Sequence, residues 1–126
     1  MPNDIFNLCD RVREASFDLH RHLRHGHVEK VYEAGLANRL RKLDLPFSSQ
    51  HPLRVFDTDG VILGEFYADL FVDGRLIVEL KACKALADEH TAQLLGYLRA
   101  SHIEHGLLIN FGSPKLEVRK FALSAA

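Results

Sequence analysis

Apolar residues recur at three- and four-residue steps through the first third of the chain, a spacing typical of amphipathic helices. The first predicted helix covers about residues 4–24, with Asn3 or Asp4 as its N-terminal cap. Gly26 interrupts the pattern, and a second predicted helix follows over about residues 28–43. This part of the chain therefore predicts two helices joined by a short junction.

The pattern then changes to an alternation of apolar and polar residues, which predicts an antiparallel meander of three strands. The strands cover about residues 49–56, 61–72 and 75–81, and an Asp-Gly pair marks the turn on each side of the second strand. Pro52 favours an edge position for the first strand, because proline cannot donate a ladder hydrogen bond.

The last third of the chain predicts a helix, a buried strand and a closing segment. The helix covers about residues 88–101, with Asp88 as its cap, and the strand covers residues 105–111. Residues 113–123 are typical of a closing strand or arm. This order of elements, without a repeat or a linker, predicts a single α/β domain over residues 1–126, built around a small mixed sheet.

Three charged side chains interrupt the apolar pattern of the second and third strands. Asp69 lies in the second strand, while Glu79 and Lys81 share one face of the third, with Leu80 on the other face. One interpretation is a structural salt bridge, or an edge strand with a wet polar face. The other is a site for a hard cation such as Mg²⁺ or Mn²⁺, which prefers oxygen ligands. Because a buried charge is costly unless it is paired or metal-bound, this hairpin is the first candidate for chemistry.

The composition is that of one ordinary globular domain, with 126 residues of which 47% are hydrophobic and 26% charged. The 16 basic residues nearly balance the 17 acidic ones, so a nucleic-acid site would have to come from local clustering. No apolar stretch approaches the roughly 18 residues needed to span a bilayer, and no signal peptide is evident. Cys9 and Cys83 are typical of free thiols. The sequence predicts a cytoplasmic protein without a membrane partner.

Basic residues cluster where the first predicted helix ends. The cluster comprises His20, Arg21, His22, Arg24, His25 and His27. Cations at a helix C-terminus are favourable in any protein, and a zinc site is disfavoured because no second pair of ligands follows at the usual spacing. The functional interpretation is a surface that faces phosphates, since grouped basic residues attract nucleic acid whatever its sequence.

Two further sets of polar residues share a helix face. Glu29 and Tyr32 lie three residues apart in the first turns of the second helix, where the helix dipole favours an acid in any case. His90, Gln93 and Tyr97 form a polar stripe on the third helix, which exposure to solvent alone would explain.

Four blocks of sequence occur in a specific order. They are GHVEKVYE at residues 26–33, YADLFVDGRLIVELKA at 67–82, HTAQLLGYL at 90–98 and HGLLINF at 105–111. Together they resemble the GxxExxY family of the PD-(D/E)XK nuclease superfamily, and the match extends from about residue 15 to residue 112. Glu-x-Lys alone would be a weak signal, whereas the four blocks in order are a strong one.

The resemblance implies a restriction-endonuclease-like α/β core in which a mixed four-stranded sheet is flanked by helices. It also implies a divalent cation, Mg²⁺ or Mn²⁺, bound by Asp69, Glu79 and the carbonyl of Leu80. Glu29 matches an additional acid that completes the metal shell directly or through water. Lys81 would then position the attacking water and offset the charge of the phosphate.

The resemblance further implies roles in catalysis and substrate binding. Gln93 and Tyr97 match a Gln-x-x-x-Tyr motif that supports the site and touches substrate, and Tyr32 of the signature is assigned to substrate binding. The usual Gly-Pro-Gly-Leu-Leu turn of the family is replaced here, which makes His25 or His27 a candidate phosphate contact, with His25 assigned to substrate binding. Lys84 stands where the family often has an acid, which makes the rim of the site more positive.

The leading functional hypothesis is a metal-dependent phosphodiesterase that acts on DNA or, less favoured, RNA. One alternative is a non-catalytic nucleic-acid-binding or assembly module on the same scaffold. Another is a structural partner protein with a buried salt-bridge cluster. A homodimer is a further expectation, because cutting both strands of a duplex requires two sites.

Overall fold

The computed structural model describes residues 4–123, which form three helices and one five-stranded sheet. The helices are α1 (Ile5–Leu23), α2 (Glu29–Lys42) and α3 (Asp88–Ser101). The strands are β1 (Phe47–Phe56), β2 (Ile62–Val72), β3 (Leu76–Lys81), β4 (His105–Asn110) and β5 (Glu117–Ala122). The sequence predicted the helices and the first four strands to within a few residues. None of the three helices combines the length and the hydropathy that crossing a membrane requires.

The strands lie in the order β1-β2-β3-β4-β5. The first three form the predicted antiparallel meander, β4 is parallel to β3, and β5 is antiparallel to β4. Strands β3 and β4 can be parallel because the connection between them contains α3, which returns the chain to the end of the sheet where β3 begins. The sheet is therefore mixed, as predicted.

The expectation of four strands is wrong, because Glu117–Ala122 pairs with β4 along its full length from His105 to Asn110. The sequence is compatible with either a strand or an arm for this closing segment. Its residues are half-buried or exposed, so they carry no clear apolar alternation. An edge strand of this kind is specified by the neighbour it pairs with more than by its own pattern.

Two apolar clusters flank the sheet. One packs α1 and α2 against the sheet, and the other packs α3 against it. Consecutive residues of β3 alternate between them, since Val78 and Leu80 join the α1–α2 cluster while Ile77 joins the α3 cluster. Helices thus cover both faces of the central strands, which explains why β3 and β4 are continuous apolar runs.

The helix caps differ in part from the prediction. Asp4 caps α1, and its carboxylate accepts a hydrogen bond from a backbone N–H of the first turn at 2.8 Å. Asn3, the other candidate, lies outside the described residues. Asp88 is the first residue of α3 and not its cap, because the cap position is held by Ala87. The N–H of Ala87 donates to Nδ1 of His90 at 3.0 Å, so the His90 ring satisfies the backbone of the cap residue.

Buried contacts hold the junction between α1 and α2 together. The hydroxyl of Tyr32 donates to the carbonyl of Arg24 at 2.6 Å and accepts from the N–H of His27 at 3.2 Å. The Tyr32 ring stacks on Phe111 with ring centroids 4.7 Å apart. His20, which was predicted to lie at a solvated basic end, is buried and packs on the same Phe111 ring. The junction is thus anchored to the end of β4.

Candidate active site

The backbone ladder between β2 and β3 ends at the predicted acidic residues. The pair at this end of the ladder joins Leu70 to Val78. Beyond it, the backbone N–H of Asp69 donates to Oε2 of Glu79 at 3.3 Å, and the backbone N–H of Leu80 donates to Oδ2 of Asp69 at 2.8 Å. Each carboxyl group thus accepts a hydrogen bond from the opposite strand, and the exchange brings the two acids together where the strands separate.

Glu79 is only 9% exposed, which is uncommon for an acid. Burial, followed by the hydrogen bond and charge of the Asp69 carboxyl group, raises the pKa of Glu79 to about 9, while Lys81 opposes the shift. Glu79 therefore favours its protonated form at neutral pH unless a cation neutralises the charge of the site. Its oxygen-only donors fit a hard divalent cation better than a soft one.

The carbonyl of Leu80 faces the same gap between the strands. On the β4 side, the carbonyl of Lys81 accepts a hydrogen bond from the N–H of Phe111 at 2.8 Å. Because backbone groups alternate sides along a strand, the N–H and C=O of Leu80 both lie on the β2 side, where the N–H meets Asp69. The Leu80 side chain is buried in the core, so only its backbone is available to the site.

Glu29, the first residue of α2, lies beside this pair of acids. Partial burial raises the pKa of Glu29 most, Asp69 adds to the shift, and Lys81 and His90 oppose it. These four groups therefore share one electrostatic environment. Within residues 4–123, no group of three or more Asp, Glu, His or Cys side chains is close enough to hold a metal ion. Glu29 nevertheless lies within electrostatic range of Asp69.

Helix α3 brings Gln93 and Tyr97 towards the acids. The Tyr97 ring stacks on Phe66 of β2 with centroids 3.7 Å apart and planes 13° apart. Burial raises the pKa of Tyr97, as do the charges of Glu79 and Asp69, and a hydrogen bond with Gln93 opposes the shift. The structure therefore brings the polar stripe of this helix to the acidic pair.

The other residues predicted to contact substrate fall into two groups. Lys84 and His25 are exposed, so both are accessible to an external phosphate. Tyr32 is fully buried, and its hydroxyl is used inside the protein by Arg24 and His27. A direct contact between Tyr32 and substrate does not fit this position, and the assignment is corrected to a structural role at the helix junction.

Two residues that the sequence did not single out also belong to the site. Glu33, one turn after Glu29 on α2, and Gln50 on β1 line an open cleft of about 340 Å³ together with Glu29, Lys30 and Asp69. Nε2 of Gln50 lies 2.9 Å from Oε1 of Glu33 and 3.2 Å from Oδ1 of Asp69. The four-residue spacing from Glu29 was a signal for Glu33. Gln50 carried no such signal, because only the pairing of β1 with β2 brings it opposite Asp69.

A mixed sheet between helices, with paired acids where two central strands separate, defines a restriction-endonuclease-like α/β domain. A family model of the PD-(D/E)XK nuclease superfamily matches residues 7–121, and the chain belongs to that superfamily. Its members generally hydrolyse phosphodiester bonds.

The fold also resembles a solved structure, the crystal structure of the protein SSO0001. The TM-score is 0.60 with 17% identity, over 77% of this chain and 50% of the other. The chain thus spans about half the length of that protein, and the likeness concerns the fold alone. No curated protein matches the chain significantly.

Proposed function

We propose that the protein is a metal-dependent nuclease of the GxxExxY family, which hydrolyses phosphodiester bonds in DNA or, less favoured, in RNA. One observation carries the proposal: Asp69 and Glu79 accept hydrogen bonds from each other's strands at the point where β2 and β3 separate. This exchange replaces the backbone ladder with two carboxyl groups. A structural ion pair would instead place a basic group between them.

The cation would be Mg²⁺ or Mn²⁺, held by Asp69, Glu79 and the carbonyl of Leu80. Glu29 would complete the metal shell directly or through a bound water, since it lies within electrostatic range of Asp69. When bound, such a cation lowers the pKa of its water ligands and stabilises negative charge on the phosphate. The raised pKa of Glu79 supports this assignment. Burial and Asp69 both disfavour the ionised form of Glu79, and a bound cation would stabilise that form.

Lys81 would orient the attacking water and offset the charge that develops on the phosphate. Lys81 lies at the end of β3, two residues from Glu79 and therefore on the same face of the strand. Its side chain is half-buried, and its charge acts on Glu79 and Glu29. In this position Lys81 would supply positive charge beside the two acids.

Substrate would lie over α3 and the rim of the site. The stack on Phe66 orients the Tyr97 ring. The hydroxyl of Tyr97, which is hydrogen-bonded with Gln93, would then contact a sugar or a base of the substrate. The exposed side chains of Lys84 and His25 would contact flanking phosphates. Location in the cytoplasm, a single domain over residues 1–126 and a homodimer stay predictions from the sequence.

The test is cleavage of single- and double-stranded DNA and RNA with Mg²⁺ or Mn²⁺, using Glu79→Gln and Lys81→Ala variants purified in parallel. We expect wild type to cleave and both variants to be slower by about 100- to 1,000-fold. Mn²⁺ should raise the melting temperature of wild type and of Lys81→Ala but not that of Glu79→Gln. Equal cleavage by all three proteins would indicate a contaminant and overturn the proposal. Binding that persists in EDTA, without cleavage, would favour the non-catalytic module.

A further inference from the structure

Gln50 occupies an irregular point in the sheet. Its φ angle is 47°, in the left-handed region that residues other than glycine rarely adopt, least of all within a strand. Ser49 pairs with Leu70 and His51 pairs with Ala68. Gln50 and Asp69 lie opposite each other between these pairs and do not continue the regular pairing.

Both strands change faces at this point. Phe47 and Leu70 pack in the α1–α2 cluster, whereas Leu53 and Ala68 pack in the α3 cluster. Residues an even number of positions apart share a face in a regular strand. The alternation of side chains between the two faces therefore inverts once within β1, between Phe47 and Leu53, and once within β2, between Ala68 and Leu70. Each interval contains one residue of the opposed pair described above. The distortion is thus a property of both strands.

At this distortion, the side chain of Gln50 forms hydrogen bonds with two acidic residues. Its amide nitrogen carries two hydrogens and donates to Oε1 of Glu33 at 2.9 Å and to Oδ1 of Asp69 at 3.2 Å. The nitrogen of the amide, and not its oxygen, faces the two carboxyl groups, because the nitrogen is the donor and a carboxyl oxygen is the acceptor. The other oxygen of Asp69, Oδ2, accepts from the N–H of Leu80 at 2.8 Å. Both oxygens of Asp69 are therefore held, and the carboxyl group cannot rotate without breaking a hydrogen bond.

We propose that Gln50 is a positioning residue that fixes the orientation of the Asp69 carboxylate for the cation, and that Glu33 anchors Gln50. The inference rests on the proposed function, because it requires a cation site at Asp69. Each oxygen of Asp69 keeps a free lone pair after accepting one hydrogen bond, so positioning and cation binding are compatible. Loss of such an outer hydrogen bond typically weakens metal binding by about 10- to 100-fold.

The test is a titration of the full chain with Mn²⁺, without nucleic acid, followed by electron paramagnetic resonance. Gln50→Gly removes the amide and suits the left-handed backbone, so it adds no strain. Ser49→Gly is the control, because it places glycine at the adjacent exposed position of the same strand. We expect Gln50→Gly to bind Mn²⁺ about tenfold or more weakly than wild type, and Ser49→Gly to match wild type. Gln50→Asn, which tolerates the same backbone but has a shorter side chain, should also bind weakly.

A second pair of variants separates an anchor from a ligand. Glu33→Gln keeps an acceptor oxygen for Gln50, so we expect Mn²⁺ affinity within about threefold of wild type, after loss of one nearby charge in partly solvated surroundings. Glu33→Ala removes the acceptor and should weaken binding as Gln50→Gly does. The midpoint of thermal unfolding without metal shows whether each variant is folded.

The outcomes distinguish the two proposals. If wild type binds Mn²⁺ and Gln50→Gly binds it equally well, the positioning role is wrong and the cation site stands. If Glu33→Gln binds as weakly as Glu33→Ala, Glu33 is a ligand and its role as an anchor is wrong. If wild type binds no Mn²⁺, the proposed function and this inference both fall.

Discussion

Glu79 shows how far the properties of one residue depend on its surroundings. As a charged residue in an apolar strand it stands out in the sequence, and so do Asp69 and Lys81. Its charge state depends on burial by neighbouring elements and on the proximity of Asp69. The sequence therefore predicts which residues carry the chemistry, but not whether they are ionised.

Without metal, we expect Glu79 to make the free energy of unfolding fall as pH rises from about 4.5 to about 9. Glu79 would ionise near 4.5 when unfolded and near 9 when folded, so the folded state binds more protons across this window. Its contribution to stability then decreases by up to about 1.4 kcal/mol per pH unit. Urea unfolding of wild type and Glu79→Gln at several pH values measures the difference in slope.

The control for this prediction is Glu89→Gln, a change of the same type at an exposed position. The free energy of unfolding of this variant should depend on pH in the same way as that of wild type. The same slope in Glu79→Gln as in wild type would contradict the raised pKa. Excess Mn²⁺ should flatten the slope of wild type at alkaline pH, because a cation binds the ionised pair and not the protonated one.

At the scale of elements, the α1–α2 junction shows that the spacing of residues on a helix does not decide which side chains are buried. The spacing of Gly26, Glu29 and Tyr32 marks the start of α2. Tyr32 lies on the face of α2 that packs on Phe111, whereas Glu29 is exposed. Glu29 and Tyr32 are three positions apart on the helix, and the sequence alone does not show which of the two is buried.

We expect Tyr32→Phe to lower the free energy of unfolding by about 1–3 kcal/mol, because the carbonyl of Arg24 and the N–H of His27 each lose a hydrogen-bond partner. Tyr67→Phe is the control, since Tyr67 is exposed and its hydroxyl donates to the Glu65 side chain. It should change stability by no more than about 0.5 kcal/mol. Chemical denaturation measures both. Full stability in Tyr32→Phe combined with weaker binding of DNA would restore the role in substrate binding.

At the scale of the whole molecule, the sheet order brings distant parts of the chain to one site. The acids lie on β2 and β3, Gln50 lies on β1, and α2 and α3 approach from opposite faces. The formal net charge is −1, so attraction of a polyanion must come from basic residues near this site. Lys84 and His25 are exposed and are the candidates that the sequence predicts, and the exposed Lys30 lines the cleft.

We expect Lys84→Ala to reduce the salt dependence of DNA binding, lowering the slope of log affinity against log salt concentration by about 1, as for loss of one phosphate contact. Lys120→Ala removes the same charge from β5, at the edge of the sheet opposite β1, where the ammonium lies over the Phe6 ring. It should leave the slope unchanged. Fluorescence anisotropy in a Glu79→Gln background measures binding without cleavage. Equal slopes in both variants would exclude Lys84 as a phosphate contact.

The sequence by itself determined the three helices and the meander, and it predicted a site at Asp69, Glu79 and Lys81, because periodicity and charges within apolar strands are local signals. Only the tertiary structure decided where the β2–β3 ladder ends, how deeply Glu79 is buried and that Tyr32 is part of the core. The fifth strand and the contact of Gln50 with Asp69 and Glu33 also depend on it. These features arise from pairing and packing between segments far apart in the chain, and no window of sequence contains both partners.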